Sequence, residues 1–202
     1  MTRELIAGAH PDTRFIQTDC DNIYVADFTE RTQTLPEKRS VEVSGKPQIS
    51  PDGSGEMDSA HFMNPARLAI EFALFHDSEY TDQSGANRKH CEGAMYLQDT
   101  PNPLWAAFLE LKDCRPKRIR HHAFKARRQI FNVVKDFRQR GILDGSEKLY
   151  GIVSCPRRKI AFNNLIAGDT ITATRLKKYT GILYYGSNEI LILSRQLLQP
   201  KI

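Results

Sequence analysis

With 202 residues the chain suits one domain, or one domain with an appended arm, and is long enough to bury a sizeable core. Its 40% hydrophobic and 26% charged content is that of a soluble globular protein, and no run approaches the roughly 18 apolar residues of a membrane span. A net charge of +5 leans towards polyanionic partners; four widely spaced cysteines without a Cys-x-x-Cys pair argue against a zinc site or a secreted disulfide framework, and for free thiols in a reducing cytosol.

Residues 1–60 read as strands and a flexible loop packed on, or extending from, a core formed by residues 61–202. Phe15-Ile-Gln, Ile23-Tyr-Val-Ala-Asp-Phe and Ser40-Val-Glu-Val are strand-like. The Gly-, Pro- and Ser-rich residues 44–56 form a loop or linker. Asn64 suits a helix N-cap and Pro65 the first helical position, so a helix is expected over residues 66–75. Residues 77–89 are polar and turn-like. Two hydrophobic runs, 91–98 and 104–114, joined by Asp-Thr-Pro-Asn-Pro, predict a β-hairpin.

A basic connection, Arg115-Pro-Lys-Arg-Ile-Arg, leads into a long amphipathic helix. In it Ala123, Ala126, Ile130, Val133, Val134 and Phe137 recur at helical spacing, and Gly141 is its stop. Residues 148–155 read as a buried strand. Residues 180–185 and 189–193 flank Gly186-Ser-Asn and predict a second hairpin. The order is that of an α/β domain with a mixed sheet covered by helices and a β-rich C-terminal tail. The N-terminal segment has no apolar core of signal-peptide length, and a cytoplasmic location is expected.

The chemistry of the first hairpin follows from its register. With residues 99–103 as its loop, Tyr96 faces Ala106, Ala94 faces Phe108 and Glu92 faces Glu110, while strand periodicity puts Lys112 on the face of Glu110. Opposed β-carbons lie about 4.5–5.5 Å apart, so both carboxylates reach one divalent cation; without it they repel and one pKa rises. Trp105, Ala107, Leu109 and Leu111 occupy the other face, so the strand is expected to be buried on both sides, and an acid within it needs a cation, a basic partner or a proton. A hard cation held by two carboxylates, waters and a phosphate is a Mg²⁺-type site, with Mn²⁺ as its substitute. Such an ion polarises a phosphoryl group and acidifies a bound water, and Lys112 stands where charge develops on the phosphate. A one-residue slip would turn Glu92 to the wrong face.

Glu92, a hydrophobic hairpin, then Glu110-Leu-Lys112 resembles the active-site signature of the PD-(D/E)XK, or restriction-endonuclease-like, nucleases. The resemblance covers residues 64–156 and implies a mixed central sheet flanked by helices, built from a helix, three strands, a helix and a strand. The extra N-terminal strands and the β-rich tail lie outside it. It implies Mg²⁺ bound by Glu92, Glu110 and the backbone carbonyl of Leu111, Lys112 as the catalytic lysine, and Glu71 as the assisting glutamate of the preceding helix. The helix after Lys112 supplies basic or amide groups in many members; Lys125 and Gln129 are the candidates here. Arg118, Arg120, Lys125 and Arg128 would hold the backbone of a nucleic acid, DNA before RNA. Many such nucleases are dimers, so the resemblance allows a homodimer.

The first acid is usually Asp, whereas here it is Glu92 with no Pro-Asp dipeptide; Asp99 lies in the expected turn, too far from Glu110 to share a metal. Two alternatives stand beside the nuclease: a nucleic-acid-binding protein on the same fold with a degenerate site, and a non-enzymatic interaction or assembly protein using its β-rich tail.

Overall fold

The run Trp105–Leu111 is buried at all seven positions, so apolar material must cover both of its faces. The computed structural model describes residues 1–37, 39–76, 80, 89–98, 104–112 and 119–201, the side chains of residues 119–121 excepted. Among these residues the chain order is α1 (Arg3–Ala9), β1 (Arg14–Thr18), β2 (Asn22–Asp27), α2 (Thr29–Thr32), β3 (Val41–Ser44), β4 (Ala60–Met63), β5 (Ile70–Leu74), β6 (Gly93–Leu97) and β7 (Trp105–Leu111). There follow α3 (Ile119–Gln139), β8 (Lys148–Ser154), α4 (Asn163–Ile166), α5 (Thr170–Thr180), β9 (Ile182–Gly186), β10 (Glu189–Ser194) and β11 (Leu197–Pro200).

Among the described residues these elements build two mixed sheets flanked by helices. The first has the order β1-β5-β6-β7-β8-β9, antiparallel as far as β7 and parallel from β7 to β9. The second has the order β11-β10-β4-β2-β3, with β10 parallel to β4. Each sheet takes strands from both sides of residue 60. Strand parity sorts the side chains of β7. Ala106 and Phe108 pack with Ala126, Ile130, Val133 and Phe137 of α3, while Trp105, Ala107, Leu109 and Leu111 pack with Ile23, Val25, Phe62 and Ile190 of the second sheet. The layers are therefore helices, first sheet, second sheet. Full burial of each large apolar side chain stabilises this stack by about 1.5–3 kcal/mol.

The strands expected near residues 15, 23 and 41 are β1, β2 and β3, and the first hairpin is β6 and β7. The amphipathic helix is α3, stopped where Gly141 takes φ 69°. Most of the polar segment 77–89, the turn 99–103 and the connection 113–118 lie outside the described residues.

The helix expected over residues 66–75 is instead a turn followed by β5. Asn64 does cap, but it caps a turn: its Oδ1 accepts from the Leu68 N–H at 3.0 Å, and its Nδ2 donates to the carbonyls of Leu68 and Cys20. Arg67 takes the left-handed φ of 48° inside that turn. Strand β5 lies between β1 and β6 and is buried at all five positions. Burial on both faces removes the alternation that marks a strand, which leaves a short apolar run ambiguous in sequence.

The second hairpin is also overturned. β9 closes the first sheet, and β10 lies in the second between β11 and β4. Asn188 diverts the chain: its Oδ1 accepts from the Ser154 hydroxyl at 2.9 Å and the Cys155 N–H at 2.8 Å, and its Nδ2 donates to the carbonyls of Cys155 and Arg158. Its own carbonyl accepts from the His61 N–H at 2.7 Å, so one residue ties the end of β8 to the second sheet. Helix α5 was not expected either. Asp169 caps it through the Thr172 N–H at 2.8 Å and Gly181 closes it at φ 74°, but its β-branched threonines are poor helix formers. No described helix is long and apolar enough to cross a membrane.

Candidate active site

The register of β6 and β7 is the one the spacing predicts: Gly93 with Leu109, Ala94 with Phe108, Met95 with Ala107 and Tyr96 with Ala106. Glu92 and Glu110 are the next pair outward, with β6 starting one residue after Glu92. Ala94, Tyr96, Ala106 and Phe108 face the helices, and parity puts Glu92 and Glu110 on that same face. Gly93 is required here because a Cβ would lie 2.5 Å from the carbonyl oxygen of Ala73. The Glu92 carbonyl accepts from the Phe75 N–H at 3.0 Å, which fixes the entry to β6 against β5.

Glu110 is completely buried. Neither of its carboxylate oxygens accepts a hydrogen bond of regular geometry from the described residues; Lys112 Nζ is its ion-pair partner at Oε1. Burial pushes the Glu110 carboxyl up to about 7, against the downward pull of Lys112. Burial would lower the Lys112 ammonium, but Glu110 first, then Glu92 and Asp27, outweigh it and hold the pKa above the ordinary lysine value. The Lys112 N–H donates to the Ser154 carbonyl at 2.8 Å, which ties the lysine to the end of β8. Burial, with Glu110 and Glu92 adding to it, drives the adjacent Cys91 thiol well above its usual value, so it is an inert thiol.

Helix α3 closes over this end of the sheet. Gln129 Nε2 donates to the His90 carbonyl at 2.7 Å and Asn132 Nδ2 to the Lys89 carbonyl at 3.1 Å, pinning the chain before Glu92 to the helix. Gln129 also acts on Glu110, favouring its ionised form. Lys125 lies one turn before Gln129 on the same stripe; it and Arg128 are exposed. Arg127, between them, caps α4 through the Ile166 carbonyl at 2.9 Å. Arg120 belongs to α3, but its side chain, like the whole of Arg118, lies outside the described residues.

Glu71 does not join this group. It is on strand β5, in register with Tyr96, which is in register with Ala106. Ala106 is four residues from Glu110, about 13 Å along β7. The Glu71 carboxylate accepts from the Tyr96 hydroxyl at 2.9 Å, Gln17 Nε2 at 3.3 Å and Arg3 Nη1 at 3.4 Å, and so joins β1, β5, β6 and α1. Burial, then the Glu71 charge, raises the Tyr96 phenol.

Asp27, at the end of β2, is a carboxylate that sequence reasoning missed. It acts electrostatically on both Glu110 and Lys112, and with Leu111, Arg31 and Arg157 it lines a small hollow beside the end of β7. Its only sequence signal is a carboxylate ending the strand-like run from Ile23. Among the described residues no three His, Cys, Asp or Glu side chains converge as a metal-holding group. The expected donor set has two carboxylates and one backbone carbonyl. No protein-family model, curated protein or solved structure matches the chain.

Proposed function

We propose that this chain is a metal-dependent phosphodiesterase of the restriction-endonuclease-like class acting on nucleic acid, DNA before RNA. The observation that carries this reading is Glu110, a fully buried carboxylate that accepts no regular hydrogen bond from the described residues, beside the Lys112 ammonium and opposite Glu92 in the extended register. A buried charge is costly unless it is compensated, and a cation beside Glu110 would compensate it. The succession β5, β6, β7, α3, β8, with β8 parallel to β7, supports it as three strands, a helix and a strand with Glu-x-Lys at the end of the third strand.

The buried oxygens of Glu110 fit a hard divalent cation, Mg²⁺ or Mn²⁺, which Glu92, Glu110 and the carbonyl of Leu111 would hold. Such an ion polarises a phosphoryl oxygen and acidifies a bound water. Lys112 stays protonated among the acids and offsets the charge developing on the phosphate. Lys125 and Arg128, exposed along α3, contact the backbone, and Gln129 orients the loop that carries Glu92. Glu71 belongs to the scaffold in this reading.

A second reading, a nucleic-acid-binding protein with an inert site, is favoured by Lys112 itself, whose ammonium already contacts Glu110. Labelled single- and double-stranded oligonucleotides incubated in Mg²⁺, Mn²⁺ or chelator decide between them. The proposal expects metal-dependent cleavage that falls at least about 100-fold in Glu110→Ala and in Lys112→Ala. Salt-sensitive binding without cleavage supports the second reading, and neither binding nor cleavage contradicts both.

A further inference from the structure

After β8 the chain passes through Pro156 and the basic run Arg157-Arg158-Lys159. With the second sheet, this segment lines a cleft of about 820 Å³, a volume suited to an organic ligand rather than an ion. Tyr24 of β2 and His61 of β4 are paired in register and both line it. Their rings stack with centroids 4.6 Å apart and planes 1° from parallel. Ile23, Val25 and Phe62, their neighbours in sequence, enter the core between the sheets, so strand alternation turns Tyr24 and His61 outward. Asn22 Oδ1 holds the His61 ring at 2.9 Å. Burial lowers the His61 pKa in spite of Glu189 beside it, and the ring is a neutral stacking surface at pH 7.

Arg158, Lys159 and Lys201 bring cations to the same cleft. Lys159 pairs with Asp58 at 3.1 Å and Lys201 with Glu189 at 3.6 Å, and three of these four side chains are at least half exposed. Exposed pairs of this kind exchange readily for another anion. The cleft adjoins the hollow beside Leu111 and Asp27, since Met57, Asp58 and Pro156 line both.

We infer that the cleft binds an unpaired base of a single-stranded polynucleotide, stacked on the Tyr24–His61 pair with Lys159 and Lys201 at the flanking phosphates. This rests on the nucleic-acid half of the proposed function and not on cleavage. Stacking on aromatic rings tolerates every base, because each has a π-face. Glu56, Asp58 and Glu189 also line the cleft. They disfavour a duplex, with one negative charge per about 1.7 Å of its axis, yet accept hydrogen bonds from the amino groups of a splayed base.

Anisotropy titrations of a labelled mixed-sequence oligonucleotide, its duplex and adenosine monophosphate as competitor, all in chelator, test the site. The single strand should bind tighter than the duplex. Tyr24→Leu and His61→Leu should each weaken it about tenfold, whereas Tyr24→Phe, which keeps the ring, stays near wild type. Circular dichroism melts report whether the leucine variants fold, and the surface change Lys159→Gln supplies an independent arm: weaker binding with a shallower salt dependence. Unchanged affinity in the leucine variants or in Lys159→Gln, a duplex bound as tightly, or a mononucleotide bound as tightly would each overturn the inference. Because binding is read in chelator, a chain that binds strands but never cleaves them removes the phosphodiesterase and leaves this site standing. Cleavage with strand affinity indifferent to Tyr24 and His61 does the reverse.

Discussion

Glu110 titrates near 7 in the folded chain because it is buried, against an ordinary value of 4.5. Between those values the folded state holds a proton that the unfolded chain has released. Stability rises with pH only where the unfolded state binds more protons, so the contribution of Glu110 is fully present below about pH 4.5, declines as pH rises, and is lost above about 7. The loss amounts to roughly 3 kcal/mol. Glu110→Gln, which cannot ionise, should therefore gain on wild type in thermal melts as pH goes from 5 to 8. A difference between the two that is the same at both pH values contradicts the assignment. At this scale Glu92, Glu110 and Lys112 were legible because they sit within one hairpin whose period fixes their face. Asp27 was not, since more than 80 residues of chain separate it from Glu110 and Lys112. Glu71 was legible as the glutamate of an expected helix but not as the partner of Tyr96, because that contact depends on a strand the sequence presents as a helix.

Elements with a regular apolar stripe or a turn signal between them were the readable ones. α3 has a regular apolar stripe and a glycine stop, and the β6–β7 register followed from turn length alone. β5 failed for the opposite reason: apolar on both faces, it has no period to read. β9 and β10 were read as strands, but their pairing partners lie far away in sequence, and the short turn between them imitates a hairpin. The close approach of β5 and β6 at Gly93 gives a test at this scale. Gly93→Ala must displace the Ala73 carbonyl or move β6, and should cost about 1–3 kcal/mol in urea unfolding while disturbing the entry to Glu92. Wild-type stability in that variant would show that the strands do not meet there as described.

Across the whole molecule, the helix layer and the second sheet give the end of β7 its burial, so the low-polarity environment of Glu110 is a property of the stack rather than of the hairpin. Asn188 links the layers through its side-chain hydrogen bonds to the end of β8 and its carbonyl to β4. Asn188→Ala leaves the hydrogen-bonding groups of Ser154, Cys155 and Arg158 without that partner and should destabilise the chain by about 2–4 kcal/mol, with hydrogen exchange rising first in residues 154–158. A loss confined to a few tenths of a kcal/mol would deny the brace. The allocation of strands to two sheets was not legible, because periodicity reports which face is buried and not against which strand. The central claim, that Glu92 and Glu110 hold a divalent cation, is tested most directly by calorimetric titration of Mn²⁺ into the wild-type chain, Glu92→Gln and Glu110→Gln at pH 8. One ion per chain, weakened in Glu92→Gln and abolished in Glu110→Gln, is the predicted result; no binding to wild type, or equal binding to all three, would contradict it.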